Sequence, residues 1–320
     1  MPLPKPKPNE TRNEFMGRCM SNTNILNDFN STNQRYAVCN DLFSDKRKLK
    51  AFKFNYRKFK RAFKAGFRKL HKKASRANYK KAYQYYNVGF RDSVKQFLKS
   101  NDMNADNYIV FFQQKNTLEL YNEIYIKTGL LFYDWYLGNY ESFIKKEATT
   151  SNIFEAFIAN YVLHSARLQQ RISSVKKTAI KNVINIFSKN MESSDFAQES
   201  RLGKAMILNK QLQDRALWEA KRIVVTETTL ASNIAVEQAA LSAFEKPEEL
   251  VKDWILGSSF NHRMGHMDLD AQNPIPVGEN FINPVTGNSL RIPGEGPSSE
   301  VINCSCSVAF IPNPDTLIPN

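Results

Sequence analysis

No proline occurs between Asn9 and Lys246, and that stretch holds only six glycines. Proline inside a helix costs about 3 kcal/mol and glycine about 1 kcal/mol relative to alanine, so so long a run with so few breakers reads as helix after helix. The 13 prolines gather at the ends: four in the first eight residues, then Pro247, then eight from Pro274 to Pro319. The remaining six glycines fall between Gly257 and Gly296, which predicts a tail of turns, short strands and irregular loops. The expected fold class is mainly α: a helical body with a small irregular α+β C-terminal subdomain. The sharpest change of composition lies near 246–257.

Charge divides the chain a second way. Its 320 residues carry 45 Lys and Arg against 31 Asp and Glu, a formal net charge of +14, yet 17 of those cations and no acid lie between Lys46 and Lys81. The rest is slightly acidic, which excludes a uniformly basic protein, and 12% aromatic residues argue against a wholly disordered one. Within the basic segment Phe52, Tyr56, Phe59, Phe63, Phe67 and Leu70 recur at steps of three and four, one stripe of an α-helix. Core packing explains such a stripe more simply than base stacking does. Around it stand Lys53, Arg57, Lys58, Lys60, Arg61, Lys64, Arg68, Lys69, Lys72 and Lys73, the candidate nucleic-acid-binding residues. Like charges at i,i+4 repel, so a face of this kind calls for a polyanionic partner. A nucleic-acid backbone is the first reading; an anionic membrane surface or an acidic protein are the others.

Four regions are expected: 1–45, a leader with a short helical hairpin; 46–100, the basic amphipathic helix; 101–216, the helical body; and 217–320, the C-terminal domain. The leader opens on a Pro-Lys arm of polyproline character. Helix-start chemistry follows at Asn9–Glu14, ahead of Phe15, Met16, Cys19 and Met20, and a second helix is predicted around Asn33–Phe43. Cys19 and Cys39 stand one in each helix. They suit buried thiols, a disulfide or half of a metal site, and buried thiols are the simplest reading. Four cysteines make no disulfide scaffold, so a reduced, cytosolic setting is expected. No secretory h-region opens the chain, and no apolar run approaches the roughly 20 residues of a membrane span. In the body, Ala179, Ile180, Val183, Ile184 and Phe187 form one helical face; Leu208, Leu212, Ala216, Ala220 and Ile223 form another. Tyr108–Phe112 and Leu130–Tyr136 fit a buried helix or a short strand equally.

Chemistry-bearing residues concentrate in the tail: His262, His266, Asp268, Asp270, Cys304 and Cys306. The i,i+4 spacing of His262 and His266 suits two ligands on one helical face, and Cys304-Ser-Cys306 adds two soft donors, together a candidate zinc site. The tight C-x-C spacing and the long loop between the pairs weigh the other way, leaving no obligatory cofactor. Cys304 or Cys306 activated by His266 is a candidate nucleophile, although no local signature supports it. Asp268 and Asp270 read as surface acids. No glycine-rich phosphate loop is present.

The order of pieces in the last third carries a resemblance. Arg222-Ile-Val-Val-Thr226-Glu227, Lys252-Asp-Trp254, Arg263-x-x-His266-x-x-Leu269-Asp270 and Ile302-Asn303-Cys304-Ser305-Cys306, with Pro293-Gly294 between the last two, follow one another as in the Mu-F-like family of tailed-phage minor head (head morphogenesis) proteins. That family reads R-x-x-x-T-E, K-x-W, R-x-x-H-x-x-L/M-D/N-G and I-N-C-R-C; here Ser305 replaces the usual Arg and Ala271 the common Gly. Met1–Pro6, Glu14–Met20 and Gln34–Cys39 also resemble a short leader at the start of assorted phage proteins. The resemblance implies a non-enzymatic structural protein, made in the host cytoplasm and carried inside the virion head in several copies. It implies the portal or major capsid protein and packaged double-stranded DNA as partners, and no membrane. A cargo protein ejected with the genome, or a metal- or Cys-His-dependent enzyme or toxin, is the alternative. With 14 residues after Cys306, an appended toxin domain is not expected.

Overall fold

A computed structural model describes residues 4, 10, 12–29, 31–32, 34–36, 38–39, 56–100, 110–112, 114–140, 151–244, 246–257, 262–272 and 274–313. The chain forms two compact units, one of residues 1–59 with 314–320 and one of residues 60–313.

The first unit contains α1 (Arg12–Met20), α2 (Thr23–Asp28) and a helical stretch around 34–39. The Asn22 side chain caps α2 by accepting from the Asn24 amide at 3.0 Å. Phe15, Met16, Cys19, Ile25 and Cys39 are its core. Cys19 and Cys39 are joined in a disulfide with an S–S distance of 2.11 Å. This corrects the buried-thiol reading: facing positions on two short helices bring the sulfurs into bonding range, which spacing alone could not reveal. The short polar helix α2 between them carries no periodic signal.

Helix α3 (Tyr56–Ser100) runs 45 residues. Phe59, Phe63 and Phe67 are buried, as the stripe predicts. Phe63 and Phe67 pack on Trp135 with ring centroids 5.3 and 6.3 Å away, and Phe67 on Phe132 at 4.7 Å. In the second unit follow a 3-10 turn at Val110–Phe112, α4 (Gln114–Asn139), α5 (Ser151–His164), α6 (Ala166–Met191), α7 (Ser194–Gln198) and α8 (Arg201–Ala243). Leu130–Tyr136 therefore lies in helix, within α4. On α6, Leu168, Ile172, Val175, Ala179, Val183 and Phe187 are buried, while Ile184 faces outward. Serines cap α6, α7 and α8 through Leu168, Phe196 and Gly203 amides. Among the described residues no helix is long and apolar enough to cross a membrane.

Helix α8 is the axis of the unit. It packs against α4, α6 and the tail, and every residue from Thr226 to Glu237 is buried. A helix buried on all sides is expected to be apolar; this one instead carries small and polar residues whose hydrogen bonds are satisfied by neighbours. Asn78 of α3 donates to Thr128 of α4 at 2.9 Å and Thr228 of α8 at 3.1 Å, tying three helices at one buried point. Glu227 accepts from Tyr125 at 2.7 Å and faces Arg171.

The tail comprises β1 (Leu250–Ile255), α9 (Met264–Ala271), β2 (Ile275–Pro276), β3 (Phe281–Ile282), β4 (Ser289–Leu290), α10 (Ser298–Val301) and β5 (Ser307–Pro312). The antiparallel order is β2-β1-β5, with Val251 opposite Ile311 and Trp254 opposite Val308; β3 and β4 pair separately. Every residue of β1 and β5 is buried, including Lys252 and Asp253. Gly294, at φ 92°, lies so close to α8 that a Cβ there would stand 2.9 Å from Leu230 Cα. The structure is thus mainly helical with a small tail of short antiparallel strands.

Candidate functional site

Two features of the second unit carry chemistry: the cationic side of α3 and a buried cluster in the tail. Of the predicted nucleic-acid contacts, Lys53 lies outside the described residues, and Arg57 and Lys58 are exposed on the first turn of α3. Arg61, Lys69, Lys72 and Lys73 are exposed and Lys64 is half-buried. Two predicted contacts are used internally. Lys60 lies 3.0 Å from Asp253 and 3.5 Å from Asp270, and donates to the Asp270 carbonyl at 3.2 Å. Arg68 donates to the Gly257 carbonyl at 2.5 Å. Lys60 is thereby corrected from a solvent-facing contact to a bond holding the tail, because acids absent from the segment arrive from elsewhere in the fold; Arg68 holds the tail backbone while staying exposed at the surface.

Arg68, Lys69 and Lys72 meet Lys221 and Arg222 of α8 around a cleft of about 790 Å³, whose rim also includes Trp218, His71, Asn303 and Ser305. No carboxylate among the described residues lines it. Arg222 is paired with Glu219 at 2.6 Å and stands 4.9 Å from the Trp218 ring, which Arg215 also covers at 4.3 Å. Behind the rim, His71 Nε2 lies 3.0 Å from Thr229 Oγ1. The Thr229 hydroxyl proton is directed at backbone carbonyls, 2.7 Å to Cys304 and 2.9 Å to Val225, so it accepts from a neutral His71 protonated on Nε2. Burial pushes the His71 pKa down to about 4.

The tail cluster is His266, Cys304 and Cys306. Their ligand atoms lie within 4.8 Å of one another, and no side chain of the three exposes more than 3% of its surface. His266 Nδ1 is 3.8 Å from Cys304 Sγ and 3.7 Å from Cys306 Sγ. On its other side Nε2 is 2.9 Å from Glu300 Oε2. Glu300 also accepts from Asn283 at 3.0 Å, Thr286 at 2.6 Å and Asn288 at 2.9 Å. Burial works to raise its pKa, but those donors outweigh it and hold the carboxyl below its usual range. His266 is shifted upward: burial opposes the charged ring, and Cys306 and Glu300 overcome that. The hydrogen bond between the two cysteines lowers the Cys306 pKa and raises that of Cys304, where burial adds to the rise.

His262 is not in the cluster. Arg263 is the N-cap of α9, so His262 precedes the helix and i,i+4 geometry does not apply to it. Asp270 is half-buried, accepting from the Leu256 amide at 3.1 Å, whereas Asp268 is exposed. Around tetrahedral zinc, with bonds of about 2.0–2.3 Å, nitrogen and sulfur ligands stand ~3.6 Å apart, close to the spacing of this set. His266, Cys304 and Cys306 fit such an ion; the four-ligand set of the sequence reading does not.

The motif residues converge here. Trp254 meets the His266 ring edge-on at 5.1 Å, Arg263 donates to the Ile302 carbonyl at 2.7 Å, and the Asn303 amide donates to Thr226 at 3.1 Å. Asn303 has φ 58°, a left-handed conformation asparagine tolerates better than most residues, and it turns the chain toward Cys304. Glu227 and Arg222 stand apart, in the helical core and at the cleft. The sequence reading missed Glu300, Asn283, Thr229, Asn233 and His71, single polar residues without spacing to mark them. Comparison with protein-family models, curated proteins and solved structures finds no match for this chain.

Proposed function

We propose that the chain is a structural minor head protein of a tailed phage, associated with the portal or inner capsid, and that it contacts packaged double-stranded DNA. The observation that carries the DNA contact is the continuation of the α3 cationic side onto α8. Arg61, Lys64, Lys69, Lys72 and Lys73 are joined by Lys221 at the cleft, and no ion pair engages these six among the described residues. The set is rich in lysine, a compact point charge suited to phosphates rather than to base edges, so the contact is sequence-independent. The phage-head assignment rests on the ordered motif pieces, of which Trp254, Arg263, Asn303 and Thr226 gather around the His266 cluster.

Binding of the full chain to a random-sequence DNA duplex across a salt series tests this. If six to ten phosphates are neutralised, affinity falls by roughly 10³–10⁵ between 50 and 200 mM salt. Reversing Lys69, Lys72 and Lys73 to Glu should flatten that slope and weaken every sequence equally. A salt-independent interaction, an unchanged slope after reversal, or binding only to anionic vesicles contradicts the reading. Recovery of the chain with portal protein from purified particles tests the virion assignment.

A further inference from the structure

We propose that His266 Nδ1, Cys304 Sγ and Cys306 Sγ bind one zinc ion, with Glu300 fixing the imidazole from behind. Glu300 receives hydrogen bonds from Asn283, Thr286 and Asn288, so it faces His266 as an acceptor. It therefore accepts a hydrogen bond from Nε2–H, which keeps the ring proton on that nitrogen and leaves the Nδ1 lone pair directed at the two sulfurs. A carboxylate behind a metal-bound histidine sets its tautomer and raises its basicity in this way. Backbone and cationic groups stand beside both sulfurs. Cys304 Sγ accepts the Cys306 amide at 3.5 Å, and the Gly257 amide favours the Cys306 thiolate as Arg263 favours that of Cys304.

The position in the fold gives the ion a purpose. Strands β2, β3 and β4 are two residues each and α10 is four, too little regular structure to hold the loops between them. The donors come from α9 and from the approach to β5, and the anchor Glu300 from α10. One ion therefore links three segments that local hydrogen bonding leaves loosely joined. Three protein donors leave one tetrahedral position for a water molecule. Cysteine binds zinc as the thiolate, so affinity rises with pH. Complete burial separates this site from a catalytic cysteine, which must meet a substrate.

The test uses the reduced full chain, with zinc measured by elemental analysis and the donors read by cobalt(II) substitution. The expected result is one zinc per chain and cobalt–thiolate absorption bands that fall by about half in Cys304→Ser and Cys306→Ser, with metal bound far more weakly in those variants and in His266→Ala. His262→Ala should retain both metal and bands, and Glu300→Gln should bind zinc about 10–100-fold more weakly. Absence of thiolate bands in the wild-type chain, or loss of metal in His262→Ala with retention in His266→Ala, overturns the proposal. Should the cluster variants fail to fold, alkylation of the wild-type chain decides. Along a urea series that exposes the buried thiols, zinc must protect Cys304 and Cys306, and equal reactivity with and without zinc refutes the site. DNA binding is scored separately, so failure here leaves the cationic cleft untouched.

Discussion

The side-chain amide of Asn233, on helix α8, pairs with the backbone at Val308 as a neighbouring strand would. Its Oδ1 accepts the Val308 amide at 2.9 Å, while Nδ2 donates to the Cys306 carbonyl at 3.1 Å and the Pro293 carbonyl at 3.2 Å. One helical residue thereby terminates the hydrogen bonding of β5 and fixes the Pro293-Gly294 loop. Replacing it strands buried backbone groups, each worth about 1–3 kcal/mol. Asn233→Ala should lower unfolding free energy by roughly 2–4 kcal/mol in urea denaturation, and Asn233→Leu, similar in size, should do no better. A loss under 1 kcal/mol would show that β5 finds other partners.

Lys60 and its helical neighbours should separate cleanly. Lys60→Met removes the cation facing the buried Asp253 carboxylate and is expected to cost about 2–4 kcal/mol. Lys69→Ala and Lys72→Ala touch exposed charges and should stay within about 0.5 kcal/mol while weakening DNA binding. Thermal unfolding of the three single variants beside a DNA titration provides the comparison. Equal stability of all three would place Lys60 in solvent.

Acid should loosen the contact between α3 and α8 through His71. Its folded pKa of about 4 lies below the ordinary 6.5, so the unfolded chain binds more protons between those values. Stability from this group is complete above pH 6.5 and is lost as pH falls toward 4, by roughly 1–3 kcal/mol. His71→Gln, which keeps a donor near Thr229 without titrating, should flatten the unfolding midpoint across that window. An unchanged pH profile in the variant excludes His71 as the source.

Gly265 leaves room for the anchor of His266. A Cβ at this position would stand 1.9 Å from Asn283 Oδ1, and Asn283 donates to Glu300. Gly265→Ala must displace that amide, at a cost of about 1–3 kcal/mol. The double variant Gly265→Ala/Asn283→Ala removes the collision, so its destabilisation should fall short of the sum of the single effects. Strict additivity in a double-mutant cycle would show that the two side chains do not meet.

Much of the helical body is legible in the sequence. Phe59, Phe63 and Phe67 repeat at helical spacing and are buried, as are Leu208, Leu212, Ala216, Ala220 and Ile223. The Thr226–Glu237 stretch of α8 is not legible as core, because threonine, serine, asparagine and glutamate signal a solvent face unless their partners are known. Lys252 and Asp253 mislead in the same way: both are buried in β1, Lys252 donating to the Arg291 carbonyl at 2.9 Å, with burial pulling its pKa down to about 8. Of the candidate metal ligands, His266, Cys304 and Cys306 are readable by residue type, but Glu300 is one acid among many.

By itself the sequence determined that the body is mainly helical, that its excess positive charge gathers between Lys46 and Lys81, and that its reactive side chains lie in the tail. Those properties are local: they depend on breakers, periodicity and charge within a few turns. Tertiary structure alone decided that Cys19 bonds Cys39, that Lys60 pairs with Asp253 and Arg68 with the Gly257 carbonyl, and that His266 rather than His262 meets the cysteines. Each of these turns on groups far apart in the chain, such as Lys60 and Asp253 or His266 and Cys304, and contacts at that range are set by how helices and loops pack.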